Sequence, residues 1–174
     1  IVLDEPTSNM DGESEKVFLK SIQDKLIVEE LPFPFISANN ILPNDLIKEA
    51  ENEFVSFNKM EGAGGYSMGN LKKKFSDYQK IPTKIKAIIN FFYSENFIKV
   101  LEKKFDLKGI QPDWGLHGGG MHQSPRGGFL KIHSDFIYRR NFNTRRVLNL
   151  LLYLNTNWKE EWGGALELWD KKMK

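Results

Sequence analysis

A chain of 174 residues that is 40% hydrophobic and 28% charged is long enough for one ordinary domain with a sizeable core and too short for two full ones. Its 25 basic and 23 acidic residues leave a net charge of +2, which gives no electrostatic case for nucleic acid or an anionic membrane as a partner. The absence of cysteine excludes disulfides, thiolate metal sites and cysteine nucleophiles. With no apolar run near the roughly 20 residues that span a bilayer and no basic-then-apolar leader, a cytoplasmic protein is expected.

The chain opens on Ile1-Val2-Leu3-Asp4-Glu5-Pro6-Thr7-Ser8, followed by Asn9-Met10-Asp11. This stretch resembles the Walker B strand and D-loop of ABC-type ATPases. The resemblance implies that Asp4 would hold Mg2+ through water and that Glu5 would position the attacking water. A helix is expected next, with Val17, Phe18, Ile22 and Leu26 on one face. An ATPase also needs a phosphate-cradling loop ending in Gly-Lys-Ser/Thr ahead of that strand, and nothing precedes Ile1 here. Residues 1–30 are therefore expected to be an ABC-like remnant, a strand plus a helix, without activity of its own.

Two prolines in Leu31-Pro32-Phe33-Pro34-Phe35-Ile36 break the helical pattern and mark the start of a second unit, residues 31–174, on its first strand. Pro43 to Phe57 reads as a helix burying Leu46, Ile47, Ala50, Phe54 and Phe57. Gly62 to Gly69 is a glycine-rich loop in which Tyr66 is a candidate lid residue, and Lys72 to Lys74 reads as a solvated basic face. Further helices are expected over Ile81–Asn90 and Glu95–Phe105, the second with Phe97, Ile98, Leu101 and Phe105 on one stripe.

After Asp113 the hydrophobic period changes from helical to alternating, which predicts a sheet half. Within the apolar run Phe129, Leu130, Ile132, Phe136, a strand would set His133 and Asp135 on one face, an imidazole beside a carboxylate. A pair of this kind supplies two thirds of the 2-His-1-carboxylate facial site that suits non-haem Fe(II). In Val147 to Leu154, one face carries Val147, Asn149, Leu151 and Tyr153, and the other Leu148, Leu150, Leu152 and Leu154. The leucine face is expected against helices, leaving Asn149 and Tyr153 to find a ligand carboxylate or ordered water on the inner side. His122, with Gln123 beside it, sits on the preceding strand within reach of the site, whereas His117 reads as a surface residue. Gly163-Gly164 turns the chain into a last alternating strand, Ala165 to Trp169.

Three ordered blocks carry a resemblance over this half: GGFLKIHSDF at Gly127 to Phe136, RRVLNLLLYLN at Arg145 to Asn155, and WKEEWGGALELWD at Trp158 to Asp170. Together they resemble the 2-oxoglutarate/Fe(II)-dependent dioxygenases, specifically the prolyl 4-hydroxylase-like branch, and the similarity extends more weakly back to about Pro32. The resemblance implies an α+β fold, N-terminal helices packed on an antiparallel double-stranded β-helix or jelly roll, left incomplete here. It implies Fe(II) held by His133, Asp135 and a second histidine from a later strand, with 2-oxoglutarate as cosubstrate and ascorbate as reductant. Cosubstrate contacts would fall to His122, Gln123, Asn149 and Tyr153. The implied reaction is hydroxylation of an unactivated C–H, by analogy that of a prolyl residue in a protein or peptide. Because no histidine follows His133, the later ligand and its neighbouring basic residue are expected beyond Lys174, and these residues alone are expected to be inactive. Two other classes stay open, an ABC-transporter ATPase fragment and a non-catalytic jelly-roll binding module.

Overall fold

The computed structural model describes residues 12–62, 72–139 and 143–173. The Walker B-like stretch with Asp4 and Glu5, and the glycine-rich loop with Tyr66, lie outside the described residues. Among the described residues there are four helices: α1 (Gly12–Lys25), α2 (Asn44–Asn52), α3 (Thr83–Tyr93) and α4 (Glu95–Phe105). None of them is long and apolar enough to cross a membrane.

Each helix has a local reason for its ends. Pro43 and Pro82 sit immediately before α2 and α3, where a fixed φ suits helix entry and no N–H partner is needed. The Glu53 carboxylate accepts from the Lys84 backbone N–H at 2.8 Å, so the residue that closes α2 also satisfies an orphan donor in the first turn of α3. Ser94 ends α3 and starts α4, its Oγ accepting from the Phe97 N–H at 3.3 Å. At the far end of α4, Asp106 turns left-handed at φ 50°, and the next N–H returns to the Glu102 carbonyl at 2.9 Å.

The helices meet on a core built around three phenylalanines. Phe97 lies 5.4 Å from Phe91 and 5.0 Å from Phe92, centroid to centroid, in tilted and edge-on arrangements that aromatic quadrupoles favour. Ile81, Ile85 and Ile88 surround them, together with Ala50 of α2 and Ile22 and Leu26 from α1 and its end. Helix α1 thus shares the core of α3 and α4. Its buried stripe runs through Phe18, Ile22 and Leu26, while Val17, expected on the same face, is 62% exposed. Helix α2 stops at Asn52, short of the expected Phe57, so Phe54 is packed from the following bend and Phe57 opens a short 3-10 turn.

Three small antiparallel sheets complete the described structure. The first pairs β1 (Val28–Glu29) with β2 (Phe35–Ile36), which contains the strand expected after the two prolines. The second orders β3 (Glu61–Gly62), β4 (Lys73–Phe75) and β5 (Met121–Gln123) side by side. The third pairs β6 (Tyr138–Arg139) with β7 (Thr144–Arg145). Mixed helix and short antiparallel sheet is an α+β arrangement. The jelly roll is not formed among the described residues.

Two sequence expectations change here. Lys72 to Lys74 is not a solvated face: all three are half-buried, β4 runs between two partners, and Lys73 places its ammonium 4.5 Å from the Phe57 ring centroid. Residues 129–136, 147–154 and 165–169, each expected as a strand, carry no ladder among the described residues. Alternation nevertheless survives in part of the second segment. Leu152 and Leu154 pack on the helical core, and Tyr153 between them is 59% exposed.

Candidate metal centre

The site starts from the glycine turn that precedes β5. Gly120 has φ +96°, and a Cβ there would stand 2.5 Å from the Phe75 carbonyl oxygen, so glycine lets the turn press against β4. Strand β5 then pairs His122 with Lys74 and Met121 with Phe75. Met121 is buried in the core, which turns His122 to the other face. Gln123, next to His122 on β5, shares the Met121 face by alternation and is exposed.

His122 keeps solvent contact but has a lowered pKa. Burial is the main cause, the Lys72 ammonium adds to it, and the Gly119 carbonyl at 3.2 Å partly opposes it; Lys74 and Asp135 contribute smaller effects of opposite sign. The sign of the consequence follows from linkage. An unfolded chain takes up this proton near the ordinary histidine value of about 6.5, whereas the folded one does so only at lower pH. Stability linked to His122 is therefore complete above that value and is lost as pH falls below it. His122→Gln is expected to flatten this acid-side decline in urea unfolding curves recorded from about pH 8 to about pH 5.

His133 and Asp135 come together on the segment that leads into β6. His133 Nε2 lies 3.3 Å from Asp135 Oδ1, with both side chains about half exposed. The other ring nitrogen, Nδ1, is 2.7 Å from the Lys131 carbonyl oxygen. A carbonyl can only accept, so Nδ1 carries the proton of the neutral ring and Nε2 presents a lone pair. That lone pair faces a carboxylate oxygen. Two acceptors at this distance repel unless a proton or a metal cation lies between them.

The second carboxylate oxygen is occupied. Asp135 Oδ2 accepts from Arg146 Nη1 at 2.8 Å and from Asn149 Nδ2 at 3.1 Å. Arg146 was visible in the sequence only as one of several arginines without an assigned place. Its signal was masked by the alternation rule, which puts residues 146 and 149 on opposite faces of a regular strand. Residues 146–149 carry no ladder, and both side chains reach one oxygen. Tyr153 forms no hydrogen bond to this cluster among the described residues, and the His117 ring turns away to Asp113, its Nδ1 3.1 Å from Oδ1, although its backbone carbonyl accepts from Arg146.

Metal bonds of about 2.0–2.2 Å to nitrogen and oxygen, set at right angles, separate the two donor atoms by about 3 Å. The observed 3.3 Å and the fixed tautomer fit two adjacent positions of one metal ion. No cluster of three or more His, Asp or Glu residues suited to a metal occurs among the described residues. The donor set among the described residues is thus two ligands, both hard or borderline, as ferrous iron accepts.

Residues 119–174 match the family model described as the 2OG-Fe(II) oxygenase superfamily. The match supports an oxygenase-type function, with Fe(II) and 2-oxoglutarate as the cofactors that the superfamily implies. It covers β5, the His133 and Asp135 pair, Arg146, Asn149 and the Trp158 to Asp170 block. No curated protein and no solved structure matches the chain.

Proposed function

We propose that the protein is a 2-oxoglutarate/Fe(II)-dependent dioxygenase in which His133 and Asp135 supply two of the metal ligands, and that it hydroxylates a prolyl residue of a protein or peptide. The observation that carries the metal assignment is the apposition of His133 Nε2 and Asp135 Oδ1, two electron-pair donors held face to face by separate hydrogen bonds. The matched superfamily supports the reaction class. The prolyl substrate rests on the resemblance of the three sequence blocks to the prolyl 4-hydroxylase-like branch, an analogy of family.

Bound iron would supply the oxidising chemistry that couples decarboxylation of 2-oxoglutarate to insertion of oxygen into the substrate C–H. The residues of this chain do the positioning. The Lys131 carbonyl fixes the His133 tautomer, and Arg146 with Asn149 fixes the Asp135 carboxylate. With two protein ligands among the described residues, metal binding is expected to be weak, and residues 1–174 alone are expected to give no turnover.

The test is succinate formation from 2-oxoglutarate with Fe(II), ascorbate and a prolyl peptide. It is run on residues 1–174 and on a version continued through the superfamily's closing strands. Turnover in the longer version only, lost on His133→Ala, is the expected result. Silence of the longer version across peptide substrates would reject the prolyl hydroxylase reading.

A further inference from the structure

Asp135 has two oxygens, and the protein treats them differently. Oδ1 faces His133, whereas Oδ2 receives two hydrogen bonds, the shorter of them from Arg146. The arginine is itself held from four sides. Nη2 donates to the His117 carbonyl at 3.0 Å, the guanidinium lies 4.0 Å from the centroid of the Phe136 ring, and the backbone N–H donates to the Ile137 carbonyl at 2.8 Å. The fourth side is Gly118, where a Cβ would stand 3.0 Å from Nη2 and 3.1 Å from the Phe136 ring edge. Arg146 is accordingly only 20% exposed, while the carboxylate it holds is 46% exposed.

We propose that Arg146 is the positioning residue that keeps Asp135 monodentate, presenting Oδ1 alone to the metal; this rests on the oxygenase reading of the His133 and Asp135 pair. The outer torsion of an aspartate is broad, so without a fixed partner on Oδ2 the carboxylate can swing to offer both oxygens. A bidentate aspartate would occupy one more coordination position. A facial site must keep three positions open, two for a chelating oxo acid and one for O2, and the extra oxygen would leave one too few. Arginine suits this task where lysine does not, because its planar fork reaches Asp135 and the His117 carbonyl together while its face lies on Phe136. Asn149 is the auxiliary donor to the same oxygen.

The test uses Mn(II) binding to the 174-residue chain, with no turnover involved. Affinity is measured by calorimetry, and inner-sphere water by the proton relaxation enhancement per bound Mn(II). Arg146→Gln is expected to weaken Mn(II) binding about 10–100-fold, the size of effect typical of partners that orient metal ligands. The same variant should lower the relaxation enhancement, as a second carboxylate oxygen displaces water. Gly118→Ala, which pushes Arg146 aside without removing its charge, should do the same in smaller measure, and decides the matter if Arg146→Gln does not fold. Variants that fold, bind Mn(II) within threefold of the parent and keep its relaxation enhancement would overturn the proposal. A parent chain that binds no Mn(II) would overturn the metal site itself, and the positioning role with it.

Discussion

Asp135→Asn is expected to lose metal binding almost completely, and to lose more than Asp135→Ala. The amide that replaces the carboxylate has one oxygen and one NH2 group. Arg146 and Asn149 both donate to the Oδ2 position, so the oxygen is drawn there and the NH2 is left where Oδ1 faced His133 Nε2. It can then donate to the Nε2 lone pair, which removes the second ligand along with the first. Alanine removes the carboxylate but leaves the imidazole open. Both changes fall on a half-exposed side chain, so the cost in stability is expected to be at most about 1 kcal/mol, as for other surface ion pairs. Calorimetric titration with Mn(II), alongside circular dichroism to establish the fold, checks the order parent, alanine, asparagine. Equal binding by the asparagine variant and the parent would place the metal elsewhere.

Phe97→Ala is expected to have the largest effect on stability, about 3–5 kcal/mol. Phe97 is 2% exposed and is the largest fully buried side chain of the core. Its ring touches Phe91 and Phe92, both anchored on α3, while its own backbone N–H is held by the Ser94 Oγ. That bond keeps the first turn of α4 in place, so the neighbouring rings have little freedom to collapse into the space left behind. At about 2–4 °C per kcal/mol for a domain of this size, the melting temperature should fall by roughly 6–20 °C. Thermal denaturation followed at 222 nm measures it. A fall of only a degree or two would mean that the three-phenylalanine packing does not organise the core. Metal affinity per folded molecule should be unchanged, because none of these rings contacts His133 or Asp135.

These two residues also show how differently the sequence exposes a core and a site. Helix α4 is legible to the residue, Glu95 to Phe105, because its apolar stripe and its serine cap are both local. Helix α2 is shorter than the stripe suggests because Phe54 packs on the core from the bend after Asn52, and Phe57 belongs to a separate 3-10 turn. The pairing of His133 with Asp135 was legible because it depends on a spacing of two. The placing of Arg146 was not, since a regular strand would put residues 146 and 149 on opposite faces, and the room left by Gly118 lies 28 positions earlier in the chain. Lys72 to Lys74 was misread for a related reason: a charge run shows nothing of the two strands that flank it or of the Phe57 ring beneath it.

The hydrogen bond from Thr156 Oγ1 to Glu51 Oε2, 2.8 Å long, joins residues 105 positions apart. Together with Leu152 and Leu154 on the helical core, it links the helices to the segment that carries Asn149. Helices α3 and α4 form from neighbours in sequence, whereas β4 must find β5 across 45 intervening residues and Glu51 must find Thr156 across far more. Loop closure delays contacts of long range relative to local ones. The order of assembly follows. The α3–α4 hairpin is expected to condense first, and the segment from Val147 to Thr156 to dock on a surface already in place.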